Sequence, residues 1–261
     1  MSGTHDSEFE HINRVVIIPA FNEEDALPLL IVDLIPLLAE TDAVVVVDDS
    51  APAIAALTSQ RCEVGAGERS QQLLVVSTGS RGGRGAAVRK GMSIAVQRFP
   101  RAQLFVECDA DGSHQAVDIQ KILASSNTSD VIIGSRYLAD SQIIGWSLSR
   151  KLQSRVLNFL IPRILGLRIR DITNGLRRYN RQAIDCLLQQ YAVSTSFIYL
   201  TEQALVLHRQ GMQFHEVPIV FAERRAGYSS VTAKELRESL RGLARIIAFR
   251  RTSKSSHSLK S

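Results

Sequence analysis

Five short runs rich in β-branched residues punctuate the first half of the chain: RVVIIPA (14–20), AVVVVDDS (43–50), LLVVSTG (73–79), LFVECDAD (104–111) and DVIIGSR (130–136). None alternates polar with apolar residues. A strand with one wet face alternates with period two, whereas an unbroken apolar run suits a strand covered on both faces, the usual state of parallel sheets. Parallel neighbours need a crossover of a dozen residues or more. The intervals carry helical patterns near 23–39, 85–98 and 116–125. The repeated βα pattern predicts a doubly wound, mostly parallel α/β sheet. Such sheets bind ligands beyond the carboxyl ends of their strands. Four runs end in reactive residues: Pro19 to Glu23, Asp48–Asp49, Asp109–Asp111 and Ser135–Arg136.

A chain of 261 residues suffices for one large domain with a sizeable core. The expected organisation is a disordered start at 1–13 and a catalytic domain at 14–232. That domain divides into a nucleotide half (about 14–137) and an acceptor half (about 138–232). An amphipathic basic helix at 233–250 and a disordered basic tail at 251–261 follow. The net charge is +5, which calls for an acidic partner. The excess is concentrated. Residues 136–181 hold ten Lys/Arg against two acids, and residues 233–261 hold eight against two. Leu236, Leu240, Leu243 and Ile247 line one side of the last helical pattern, so that segment is expected to dock on an anionic membrane; RVLNFLIPRILGL (155–167) is a second interfacial segment.

Cys62, Cys108 and Cys186 form no CxxC pair and are read as reduced thiols. The polar N-terminus is unlike a secretory signal and no segment reads as an apolar span. The expected location is therefore cytoplasmic, peripheral on the cytoplasmic face of a membrane. Aromatic residues make up 6% and are not interleaved with the basic clusters, which argues against a nucleic-acid-binding module.

The glycine-rich stretch 77–91 is neither GxGxxG nor a P-loop. It is either a plain βα turn or a loop beside a phosphate, with Arg81 and Arg84 as cationic partners. Asp109 and Asp111 repel each other at a strand end unless a cation lies between them. Oxygen donors beside phosphates suit Mg²⁺ or Mn²⁺, which take one or two carboxylates and keep waters. Asp48 and Asp49 end a neighbouring strand and can hydrogen-bond a ribose or base.

VVIIPAFNEE, VVVVDDS, DADGSH, IGSRY, GWSLSRKLQSRVLN, RDITNGLRRYNR and EVPIVFAERRAGYSS follow one another in the order seen in GT-A fold glycosyltransferases of family 2. In particular they resemble the dolichol-phosphate (polyprenol-phosphate) mannose synthases. The resemblance spans about residues 14–245. It implies a donor-nucleotide pocket of Pro19, Phe21, Glu23, Asp48, Asp49, Arg81, Asp109, Ala110, Asp111 and Arg224. Asp111 and Arg224 would be catalytic, and Asp109, Asp111 and Ser113 would hold Mg²⁺ or Mn²⁺. Arg136, Arg150 and Ser154 would take the acceptor phosphate. The implied reaction moves mannose from GDP-mannose to a polyprenyl monophosphate with inversion; the alternative is a glucosyl or other hexosyl transfer from a UDP-sugar. A small membrane subunit is a further implied partner. The chain departs from relatives in three places. DDSAPAIA stands where relatives read DDNSPDGT, Gly83-Arg84-Gly85 replaces Gly-Leu-Gly, and Ser229-Ser230 replaces Ser-Lys.

Overall fold

The computed structural model describes residues 9–190 and 198–224. The expectations for residues 1–8, for the helix and tail at 233–261 and for Ser229-Ser230 lie outside the described residues. In chain order the elements are β1 (Arg14–Ala20), α1 (Ala26–Leu34), β2 (Asp42–Asp48), α2 (Pro52–Ala66), β3 (Leu73–Ser77), α3 (Arg84–Arg98), β4 (Leu104–Glu107) and α4 (Ala116–Leu123). They continue with β5 (Val131–Ser135), β6 (Gln142–Ile143), α5 (Leu148–Leu165), β7 (Arg177–Asn180), α6 (Arg181–Gln189), α7 (Tyr199–Arg209), β8 (Phe214–Pro218) and β9 (Val220–Phe221).

Among the described residues, seven strands form one sheet in the order β3-β2-β1-β4-β7-β5-β8. β7 runs antiparallel to both its neighbours, and the other pairings are parallel. Successive residues of β1 enter opposite layers. Val15 and Ile17 pack with Val88 and Met92 of α3, while Val16 and Ile18 pack with Leu27 and Leu30 of α1 and Ile119 of α4. The period-two geometry of a strand thus divides an unbroken apolar run between two cores. The result is a GT-A-like α/β fold.

The strands stop at Asp48, Ser77 and Glu107, short of the expected runs, so Asp49, Asp109 and Asp111 lie in loops at one rim. The EVPIVF stretch of the sequence forms two separate pieces, the end of β8 and β9. Pro218 has no N–H to extend a ladder, and β9 crosses to pair with β6 in a separate two-stranded sheet. Two further elements escape sequence reading. The helix α2 lacks a marked apolar stripe, and β7 places two arginines in a central strand. Arg177 is fully buried, donating to the carbonyls of Asn174 (3.0 Å), Leu200 (2.8 Å) and Ile172 (2.6 Å). Arg178 is buried too and donates to Ser125 O (2.5 Å). The basic excess at 136–181 is therefore partly internal.

Candidate active site

The rim over β1, β2 and β4 gathers most of the sequence-predicted residues. After β1 the chain turns at Asn22 with φ 54°, a left-handed conformation that asparagine tolerates better than most residues. Asn22 N–H donates to Ser50 Oγ (2.7 Å). The flanking Phe21 carries the Arg81 guanidinium 4.4 Å above its ring.

Of the two carboxylates after β2, Asp49 is occupied. Its Oδ2 accepts from the amides of Gly82 (3.0 Å) and Gly83 (3.1 Å), and its Oδ1 from Thr78 Oγ1 (2.8 Å). Asp49 therefore shapes the glycine-rich loop leading into α3, which is how the structure uses a residue expected to meet ribose or base. Asp48 Oδ1 accepts from Ser50 N–H (2.8 Å), whereas its Oδ2 is buried with no hydrogen-bond partner.

The paired carboxylates after β4 also diverge. Gly112, at φ 74°, lets the chain turn back so that Ser113 N–H donates to Asp111 Oδ1 (3.0 Å). Arg224 Nη2 lies 3.4 Å from Asp111 Oδ2. Burial would raise the Asp111 carboxyl, but hydrogen bonding from Ser113 and attraction from Arg224 hold it below the ordinary carboxylate value. Asp111 is ionised at neutral pH. Glu23, which faces it, is pushed the other way, to about 7, chiefly by burial and then by the Asp111 charge.

Asp109 is ion-paired with Arg84 Nη1. The same guanidinium donates to Glu107 Oε1 (2.9 Å) and Tyr199 Oη (2.7 Å), and Tyr199 in turn donates to Glu107. Sequence reading offered Arg84 as a phosphate partner; here it neutralises two carboxylates on β4 and its loop. The glycine of the DITNG run backs this cluster, since a Cβ at Gly175 would lie 2.5 Å from Arg84 Nη2. Glu107, Tyr199, Asn174 and Gly175 were not singled out from sequence. The signal available was the TNG tripeptide, whose glycine has a packing reason.

His114 is fully buried. Its Nδ1 accepts from the Asp109 amide (3.0 Å), which leaves the ring proton on Nε2, 2.7 Å from Asn174 Oδ1. Burial lowers it to about 4, so the ring is neutral at pH 7 and both nitrogens are engaged. It orients the loop and holds no proton for reaction. Phe221 packs edge-on to His114 (5.3 Å between centroids) and to Trp146 (5.4 Å), and Arg150 stacks on Trp146 at 4.0 Å.

The residues expected to hold an acceptor phosphate are not equivalent. Arg136 is turned inward: its Nε and Nη2 grip Asp171 at 2.8 and 2.7 Å, and Nη2 also meets Thr173 Oγ1 (2.7 Å). A desolvated arginine needs a paired, hydrogen-bonded carboxylate, and Asp171 supplies it here. Ser154 Oγ accepts from Tyr137 Oη (2.6 Å). Arg150 is exposed. Partial burial and repulsion from Arg224 and Arg136 lower its pKa.

Among the described residues no group of three or more His, Cys, Asp or Glu side chains converges to enclose a metal ion. The donors that are present nevertheless suit a hard cation. Asp111 is ionised, and Ser113 Oγ, two residues on, is buried without a hydrogen-bond partner. Mg²⁺ and Mn²⁺ need only one or two carboxylate oxygens when water and phosphate complete the shell.

The chain is similar to known proteins over most of its length. The family described as Glycosyl transferase family 2 matches residues 15–188. An undecaprenyl-phosphate mannosyltransferase of Micrococcus luteus is 32% identical over 88% of this chain and 92% of its own length. A polyprenol monophosphomannose synthase of Mycolicibacterium smegmatis is 30% identical, covering 87% of this chain and 83% of its own. Among solved structures, glucosyl-3-phosphoglycerate synthase from Mycobacterium tuberculosis in complex with Mn²⁺ and UDP-glucose is similar in fold. Its TM-score is 0.57 at 19% identity, covering 95% of this chain and 84% of that one.

Proposed function

Because this chain belongs to glycosyl transferase family 2 and is a glycosyltransferase, we propose that it transfers mannose from GDP-mannose to a polyprenyl monophosphate, inverting the anomeric carbon. One observation carries the reading: ionised Asp111, paired with Arg224, shares an electrostatic neighbourhood with exposed Arg150. That arrangement offers one place for a leaving diphosphate and another for an incoming phosphate. The two bacterial relatives, named for undecaprenyl-phosphate and polyprenol-phosphate mannosyl transfer, support the substrate class.

A phosphate nucleophile is already ionised at pH 7, so the reaction requires no general base. This fits a site whose histidine is buried, neutral and doubly hydrogen-bonded. Arg150 orients the acceptor phosphate; its planar fork matches two oxygens of such an anion. Trp146 holds Arg150 by stacking on the guanidinium. Arg224 offsets charge on the departing diphosphate, and Phe21 with Arg81 walls the nucleotide pocket. Asp111 is the residue to hold Mg²⁺ or Mn²⁺, with Asp109 and Ser113 beside it. The bound ion supplies Lewis-acid stabilisation of the diphosphate.

The deciding experiment incubates the full chain with Mn²⁺ or Mg²⁺, a polyprenyl phosphate, and either radiolabelled GDP-mannose or UDP-glucose. Label appearing in lipid from GDP-mannose supports the proposal. Transfer from UDP-glucose alone would replace it with the hexosyltransferase reading.

A further inference from the structure

Two carboxylates follow β4 at the rim, and the fold treats them unequally. Asp109 already has a cation. Arg84 Nη1 is ion-paired with Asp109 Oδ1, Nη2 of the same guanidinium donates to Glu107 Oε1 (2.9 Å), and Nε donates to Tyr199 Oη (2.7 Å). Each nitrogen of the planar fork has its own oxygen, a node that lysine, a point charge, does not reproduce. The second oxygen, Asp109 Oδ2, lies 3.6 Å from Nδ1 of the fully buried His114 ring. Both oxygens of Asp109 are thus turned toward protein partners.

The node is hard to open. The Glu107 side chain is fully buried, and its other oxygen is reached by Tyr179 Oη at 3.4 Å. Gly175 closes one side, since a Cβ there would lie 2.5 Å from Arg84 Nη2 and 3.2 Å from Asp109 Oδ1. Drawing the guanidinium away would leave Glu107 charged and buried without its cation, the costly way to break such a pair. A divalent ion placed on Asp109 with Arg84 still present would sit beside a positive charge. The arginine is itself a departure, standing where relatives carry the leucine of Gly-Leu-Gly. Asp111 is held more loosely. Arg224 Nη2 stands 3.4 Å from its Oδ2, beyond the roughly 2.7–2.9 Å of a charge-assisted bond, and the Ser113 amide takes only Oδ1 (3.0 Å). Binding an ion at Asp111 Oδ2 breaks no close, buried pair.

We propose that Arg84 is a built-in cation that occupies Asp109, so that Asp111 is the only carboxylate offered to a divalent ion. Arg84 is a positioning residue: it fixes Asp109 in the wall of the site and limits the negative charge that the protein presents. Diphosphate and water then complete most of the shell, as Mg²⁺ and Mn²⁺ accept. The inference deepens the site proposed above and rests on its reading of Asp111 as the residue that holds the ion. It takes Asp109 out of the metal set expected from the sequence.

The test is Mn²⁺ binding to the full chain, read by electron paramagnetic resonance with GDP and, separately, with UDP. Asp111→Asn should weaken Mn²⁺ binding at least about tenfold, the loss of a direct ligand. Asp109→Asn should leave it within about twofold of the parent, since that charge is already matched by Arg84. In Arg84→Leu/Glu107→Gln the buried cation and a buried carboxylate leave together, so neither is stranded. Asp109 is then open, Mn²⁺ should bind at least about tenfold more tightly, and adding Asp109→Asn should abolish the gain. A merely structural Arg84 would change the melting temperature and not this affinity. Comparable losses in Asp109→Asn and Asp111→Asn overturn the proposal while the metal site stands, and these two variants decide the matter even where the double variant fails to fold. Unchanged affinity in a folded Arg84→Leu/Glu107→Gln overturns it too. Parent protein that binds no Mn²⁺ with either nucleotide removes both the proposal and the metal reading beneath it. Variants that behave as expected while GDP-mannose yields no lipid product leave the role of Arg84 standing and end the donor assignment.

Discussion

At the scale of single residues, the site rests on two carboxylates with different duties. Asp111 is held ionised by Ser113 and Arg224. Asp111→Asn should retain the fold by circular dichroism and lose about 10³-fold or more in kcat/KM, the size of a lost charge stabilisation of several kcal/mol. Asp109, by contrast, shares Arg84 with buried Glu107. Arg84→Leu removes the cation from both and leaves Glu107 buried with only hydroxyl partners. A broken buried pair costs about 3–5 kcal/mol, which should appear as a lowered urea midpoint, partly restored in Arg84→Lys. Arg150→Ala should raise KM for prenyl phosphate by about 10- to 150-fold, the loss of one charge-assisted contact. KM for the nucleotide sugar should stay nearly constant; a rise in donor KM alone would move Arg150 to the donor side.

At the scale of elements, α3 positions the loop that Asp49 grips, and its seat on β1 is a glycine. A Cβ at Gly91 would lie 2.5 Å from Ile17 Cγ2 and 3.3 Å from Val47 Cγ2. Both neighbours are branched and fully buried, so neither can turn away. Gly91→Ala should gain helix propensity yet lose about 1–3 kcal/mol through overpacking, and a thermal melt will show which effect wins. The helical reading at 85–98 was legible because its breakers and apolar spacing are local. That the helix approaches β1 closely enough to exclude a methyl group was not, because that contact joins positions far apart in sequence.

Over the whole molecule, buried His114 and half-buried Glu23 pull stability in opposite directions with pH. His114 has a folded value of about 4 against an ordinary 6.5. The unfolded chain therefore binds the extra proton as pH falls from 6.5 toward 4, and stability declines there. Glu23 has a folded value of about 7 against 4.5. The folded state binds that proton between pH 7 and 4.5, so stability declines as pH rises through the same window. Glu23→Gln should raise the melting temperature at pH 8 and do little at pH 4.5. His114→Gln should lower it overall and flatten the acid limb above pH 4. Melts at three pH values separate the two contributions.

The sequence alone determined the layered βα architecture, because an apolar run without alternation has one stable fate, burial on both faces. It also determined the rim, since carboxylates and arginines at the ends of such runs must emerge together at one end of a parallel sheet. Only the tertiary structure decided which of them are open. Asp48 and Asp49 are adjacent, as are Arg177 and Arg178, and nothing local distinguishes Arg136 from Arg150. For Asp49, Arg136 and Arg178 the partners lie more than thirty residues away, at Gly82, Asp171 and Ser125. A charged side chain finds its role through whatever the fold brings within about 3 Å of it, and that distance is not written in the order of residues.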